Sequence, residues 1–235
     1  MTTAIDYFNS HSVLRGLATR VALRARRGMY ERFVALAGVS PNQQLLDCGV
    51  TPDTSLPDSN FLERWYPYRN QITMVSCEDC TILETVFPET RFVRIEPKKA
   101  LPFPDRSFDL GFSSAVLEHV GGTDQQRFFL QELLRTSRSV FLTTPDRAFP
   151  VELHTFFPLL HWLPKPLHRR LLTLLGRPFW ASEAHLNLVT RRELAQLVTE
   201  ALHAAGRQAQ WSISSYRLLG LSSNLLLWVS GERDA

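Results

Sequence analysis

The sequence predicts an α/β fold, an open sandwich in which a mostly parallel sheet is covered by helices. Three observations carry this. Short apolar runs of strand length alternate with segments of helical period between residues 44 and 144. Turn-forming residues separate them. Two further β-like runs, Trp211 to Tyr216 and Leu225 to Val229, follow a last helix. With 235 residues, 44% of them hydrophobic, the chain has material for one core, and a disordered or fibrous chain is excluded.

The elements follow in order. Leu14, Leu17 and Val21, then Met29, Phe33 and Leu36, recur at helical spacing among arginines, and Gly38 supplies a stop. One or two amphipathic helices are expected there. Gln44 to Val50 is a buried strand entering the turn-rich TPDTSLPDSN. Asn60 and Glu63 have the spacing of a capping box for the helix FLERWYPY. Ile72 to Ser76 is a second strand, Thr81 to Phe87 a helix, Phe92 to Ile95 a third strand and Phe108 to Ser113 a fourth. The helix Gln125 to Ser137 turns Phe129, Leu130, Leu133 and Leu134 inward, and Val140 to Thr144 completes the unit. Thr190 and Glu193 cap a final helix that ends before Gly206. In such a sandwich the ligand sits beyond the carboxyl ends of the strands, which places Asp47, Gly49, Glu78, Glu96 and Ser113 along one edge.

Charge is segregated. Residues 1–40 carry a net +4, residues 41–125 a net −6 and the remainder +5, for a total of +3. An acidic centre argues against a nucleic-acid groove there, because phosphate neutralisation needs a continuous basic surface. No apolar run reaches spanning length and the first ten residues lack a leader's apolar core, so a cytoplasmic protein is expected. Cys77 and Cys80 form a C-x-x-C with Cys48 on the neighbouring strand. No fourth ligand stands nearby, so buried small hydrophobes are expected rather than a metal.

Together LLDCGV, ALPFPDRSFDLGFSSAVLEHV and LLRTSRSVFLTTP resemble the small-molecule class I methyltransferases that use S-adenosylmethionine. The second segment is the specific one, and the resemblance covers about residues 43 to 146. It implies a Rossmann-like seven-stranded sandwich with a reversed final strand, here with an N-terminal helical extension (1–40), a cofactor-binding half (41–146), an acceptor-site insertion after strand five (147–189) and a C-terminal helix and strands (190–235). The expected cofactor is S-adenosyl-L-methionine, with no metal.

The resemblance places the cofactor's amino-acid tail at Asp47 and Gly49. Thr51 and Asp53 stand where two further glycines are usual, so they either hydrogen-bond the tail or impair affinity. The ribose carboxylate falls at Ser76 by direct alignment, but Glu78 is preferred, on the same side if the strand extends that far. The adenine slot takes Glu96, with Ala100 and Leu101 as walls, and Ser113, Ser114 and Ala115 border the methionine portion. Glu78 with Asp79 also reads as a solvated strand end, and Glu96 as a surface partner of Lys98 or Lys99.

Methyl transfer needs alignment and exclusion of water more than a dedicated base. For a hydroxyl acceptor, His119 and His154 are the candidate proton acceptors, with His161 as an alternative. The insertion carries four basic residues and no acid between His154 and Ala181. Within 165–177, Leu167, Leu171, Leu174 and Leu175 oppose Lys165, Arg169 and Arg170, a basic amphipathic helix suited to peripheral membrane contact. The expected partner is a small-molecule, sugar or lipid-linked acceptor, with methylation expected at oxygen, and not nucleic acid. A methyltransferase-like module without catalysis is the rival reading, since two glycines and two acidic positions are altered. A nicotinamide-dependent reductase would need a G-x-G-x-x-G turn, which is absent.

Overall fold

The computed structural model describes residues 13–231, with side chains from residue 19 onward; Asp6 and the side chains of Leu14 and Leu17 lie outside the described part. Seven strands form one sheet. They are β1 (Leu45–Cys48), β2 (Ile72–Ser76), β3 (Arg91–Arg94), β4 (Phe108–Ser114), β5 (Ser137–Pro145), β6 (Trp211–Leu218) and β7 (Leu221–Val229), in the order β3-β2-β1-β4-β5-β7-β6. The first five pair in parallel and β7 runs antiparallel to both β5 and β6.

Alternation of side chains across the pleat builds a core on each face. Leu46, Val75, Val140, Leu142, Leu225 and Leu227 point to one side, and Leu45, Met74, Phe141 and Leu226 to the other. The first core is closed by α4 (Thr123–Thr136), through Leu130, Leu133 and Leu134, and by α7 (Arg191–Ala204), through Leu194, Leu197, Val198 and Ala201. The second is closed by α1 (Val13–Ala37), through Met29 and Phe33, and by the short α2 (Phe61–Trp65) and α3 (Ile82–Val86). The basic N-terminal segment is thus one helix, ended by Gly38 at φ 58°.

The cap of α7 forms as expected: Thr190 Oγ1 accepts from Glu193 N, and the Glu193 carboxylate accepts from Thr190 N. The cap of α2 does not. Asn60 is left-handed at φ 47° with no side-chain capping bond. Its amide instead spans Thr51, accepting from the Thr51 N–H at 3.1 Å and donating to the Thr51 carbonyl at 2.8 Å. That releases Glu63 to turn into the protein.

The segment after β5 holds α5 (Lys165–Leu174) and α6 (Pro178–Ala181). Leu172 and His168 of α5 face inward, whereas Leu167, Leu174 and the following Leu175 are exposed. Among the described residues no helix is long and apolar enough to cross a membrane. Cys48 and Cys80 are buried as expected, but Cys77 is exposed.

Candidate active site

The strand order reverses direction between β1 and β4, and the crevice at their carboxyl ends is where an open α/β sheet binds ligands. Asp47 and Cys48 end β1, and Gly49 follows at φ +106° with its N–H on the Val75 carbonyl. A side chain there would meet Val116 Cγ2 at 2.2 Å, so only glycine fits. The two residues in the glycine-substituted positions hydrogen-bond within their own loop. Asp53 is exposed and accepts from Ser55 N at 2.8 Å and Ser55 Oγ at 2.6 Å, while Thr51 is pinned through its backbone by Asn60.

Two groups that sequence reasoning passed over stand at this edge. Glu63, fully buried on α2, faces Asp47. Neither Glu63 oxygen has a hydrogen-bond donor among the described residues, and the two carboxyls are close enough to interact electrostatically. Burial first, then each other's charge, raises Asp47 well above the usual carboxylate range, and burial raises Glu63 as well. From α1, Arg26 donates through Nη1 to Ser114 Oγ at 2.7 Å, with its guanidinium 5.4 Å from the Phe61 ring centre. Asp58 and Glu118 are the charges that oppose the cost of burying it. Ser114 also bonds Thr143, and Ser113 Oγ donates to the Cys48 carbonyl. Ala115 is left-handed, φ 57°, and starts the turn toward Val116.

The other expected contacts spread out. β2 stops at Ser76, whose Oγ accepts from Glu78 N, so Glu78 belongs to the following loop and period-two alternation does not reach it. Glu96 is exposed and pairs with Lys99 at 2.6 Å, both side chains about two-thirds in solvent, a pair of roughly 0–1 kcal/mol. Ala100 is exposed and Leu101 is buried in the core. The LPFPD segment is clamped from α4. Arg135 donates to the Leu101 and Phe103 carbonyls, to Asp105 and to Glu132, and Glu132 accepts from Leu101 N.

Past β4, a short 3-10 turn (Leu117–His119) brings Glu118 and His119 against the insertion. His119 and His154 meet edge to face with ring centres 4.9 Å apart, and Trp180 lies 5.0 Å from His154. The Nδ1 of each histidine is held, His119 on the His185 carbonyl at 2.6 Å and His154 on Glu152 at 2.5 Å. Burial lowers the His119 pKa against the raising pull of Glu118. Burial alone would raise Glu152, but the hydrogen bond and charge of His154, with Thr155, hold it at about 2. Trp180 also lines a small, partly open cleft with Arg147, Lys165, Arg169, His161 and His168.

The methyltransferase-domain family model matches residues 72–139, from β2 to the start of β5. Those residues match a methyltransferase domain, and the fold of the whole chain is the Rossmann-like fold of class I methyltransferases. Solved methyltransferase structures share the fold of this chain at low identity. Magnesium protoporphyrin IX methyltransferase from Synechocystis PCC 6803, with bound S-adenosyl-L-homocysteine, aligns over 96% of this chain and 91% of its own, at 13% identity and TM-score 0.54. The N-methyltransferase NodS from Bradyrhizobium japonicum WM9 aligns over 88% and 87%, at 10% and 0.51. The RNA repair complex Pnkp1/Rnl/Hen1 contains a chain that aligns over 87% of this one and 41% of its own, at 11% and 0.52. No curated protein matches the sequence. The first turn is not glycine-rich, and Gly49 within it is packed against Val116. The signal for Glu63 lay in the unusual helix start, and for Arg26 in an arginine one turn before the buried Met29 and Tyr30.

Proposed function

We propose that this protein is a class I methyltransferase that transfers a methyl group from S-adenosylmethionine to the oxygen of an acceptor carrying an anionic group, a sugar or a lipid-linked molecule rather than a nucleic acid. The single observation that carries the cofactor reading is the polar set at the carboxyl ends of β1 and β4. A zwitterionic tail needs one anion and one cation. Asp47 and Glu63 offer two buried carboxyls whose mutual contact requires a proton that an ammonium ion can replace, and Arg26 offers a guanidinium next to Ser114. Gly49 lets the backbone approach. Glu78 remains our assignment for the ribose and Glu96, Ala100 and Leu101 for the adenine side, with Thr51 and Asp53 bordering the tail and Ser113 and Ala115 the methionine portion.

The cofactor supplies an electrophilic methyl carbon on a sulfonium. The acceptor oxygen forms the new O–C bond as the C–S bond breaks, and its proton is lost to the His119–His154 pair or to water there. His119, kept neutral by burial, and His154, oriented by Glu152, hold the acceptor oxygen in place. Trp180 stands beside His154 and also lines the basic cleft, whose arginines and lysine suit a carboxylate or phosphate on the acceptor. The exposed Leu167, Leu174 and Leu175, with exposed Arg170 and Arg177, support contact of segment 165–177 with an anionic membrane surface.

Calorimetric titration with S-adenosylhomocysteine tests the reading. Stoichiometric binding is expected, weakened about tenfold or more in Arg26→Met, the loss of a charge-assisted contact of roughly 1.4 kcal/mol. No heat at millimolar ligand, with no thermal shift, favours the non-catalytic module.

A further inference from the structure

We infer that Glu118, His119 and His154 form a site for a first-row divalent cation that holds the acceptor oxygen, a step beyond the metal-free expectation from sequence and resting on the proposed methyl transfer. One ligand atom from each of the three residues lies within 4.8 Å of the other two, with Glu118 Oε1 3.9 Å from His119 Nε2. Ligand atoms each about 2.1 Å from one ion stand roughly 3–4 Å apart, so an ion would draw these groups in by about an ångström.

Two independent features point to a ligand. Glu118 is fully buried, and while its Oε2 accepts from Thr144 at 2.9 Å, its Oε1 has no hydrogen-bond donor. An orphaned, wholly buried carboxylate oxygen is costly unless something positive meets it. The second feature is the orientation of both imidazoles. With Nδ1 of His119 on a carbonyl and Nδ1 of His154 on the Glu152 carboxylate, each ring presents Nε2 as its ligand atom, the outer arrangement that metal-binding histidines use. Glu152 is itself held by the Thr155 hydroxyl and by the His154 and Thr155 N–H groups, so the support is rigid.

Two imidazoles and one carboxylate suit a first-row ion such as Mn²⁺, Fe²⁺ or Zn²⁺ better than Mg²⁺, and leave coordination positions open. Glu118 and His119 follow the end of β4 at Ser114 by four and five residues, which keeps the ion on the strand end to which the methionine portion of the cofactor is assigned. An acceptor hydroxyl bound there would lose its proton to water at lower pH and attack as the alkoxide, giving the methyl ether and S-adenosylhomocysteine. The acceptor class is therefore one with a hydroxyl able to coordinate metal, and the two histidines act as ligands in that complex.

The test uses the full chain stripped with chelator and titrated with Mn²⁺ alone, read by electron paramagnetic resonance. One bound ion at micromolar affinity is expected, weakened about tenfold or more in both Glu118→Gln and His154→Gln, and unchanged in Glu89→Gln, an exposed surface control. Circular dichroism checks that the variants fold; Glu118→Gln can retain the Thr144 bond. Absence of a bound ion at millimolar Mn²⁺, or equal affinity in folded Glu118→Gln and His154→Gln, overturns the inference. Binding of S-adenosylhomocysteine to the stripped protein is measured in parallel. If it persists while the ion fails to bind, the metal site falls and the methyltransferase reading stands.

Discussion

Replacing Gly49 by alanine tests how the first strand delivers its turn to the crevice. The added methyl would stand 2.2 Å from Val116 Cγ2, 3.0 Å from Cγ1 and 3.1 Å from Cβ, on a backbone at φ +106°. Overpacking of this kind costs about 1–3 kcal/mol, and an L-residue at positive φ about 1–2 kcal/mol more. Gly49→Ala should therefore lose roughly 2–5 kcal/mol. Val116→Ala removes both Val116 γ-carbons, so Gly49→Ala made on that background should cost only the backbone part, about 1–2 kcal/mol. Urea unfolding of the four proteins, followed by circular dichroism, gives the coupling directly. A cost for Gly49→Ala below about 0.5 kcal/mol, or the same cost with and without the Val116 branches, would refute the steric account. It would mean that the turn has another conformation and that Val116 does not border the tail site.

The Asp47–Glu63 pair predicts a pH dependence. Both carboxyls are raised in the folded protein, so the fold binds a proton that the unfolded chain releases near pH 4. The pair's contribution is fully present below that pH and is lost as pH rises through the folded pair's titration; Glu63→Gln, whose amide donates to Asp47 without a proton, should flatten the fall in urea midpoint between pH 5 and 8. Arg135→Ala removes the clamp on the LPFPD loop and should destabilise by about 2–4 kcal/mol, seen as a lower urea midpoint; an unchanged midpoint would mean the loop is held by its apolar side chains. Leu174→Glu, at a side chain exposed by 81%, should leave stability alone while reducing cosedimentation with phosphatidylglycerol vesicles. Equal sedimentation of both proteins removes the membrane proposal.

Period and punctuation determined much of this protein by themselves. Alternating strand and helix signals fixed the layered α/β architecture, because a strand needs a half-buried pleat and a helix an apolar stripe however the rest of the chain lies. The Thr190–Glu193 cap and the Gly38 stop were equally legible, since each acts within a few residues. Long-range partners were not legible. Whether Glu63 caps its own helix or meets Asp47 depends on what Asn60 does with Thr51, nine residues earlier in the chain. Nothing local to Arg26 says that Ser114, 88 residues away, will accept its proton. Likewise Glu118 and His154 come from separate segments, and only the folding of the insertion onto the end of β4 brings them within reach of one ion. Local energies write the elements into the sequence, whereas the desolvation that turns ordinary carboxylates, arginines and imidazoles into a site exists only once distant surfaces have closed over them.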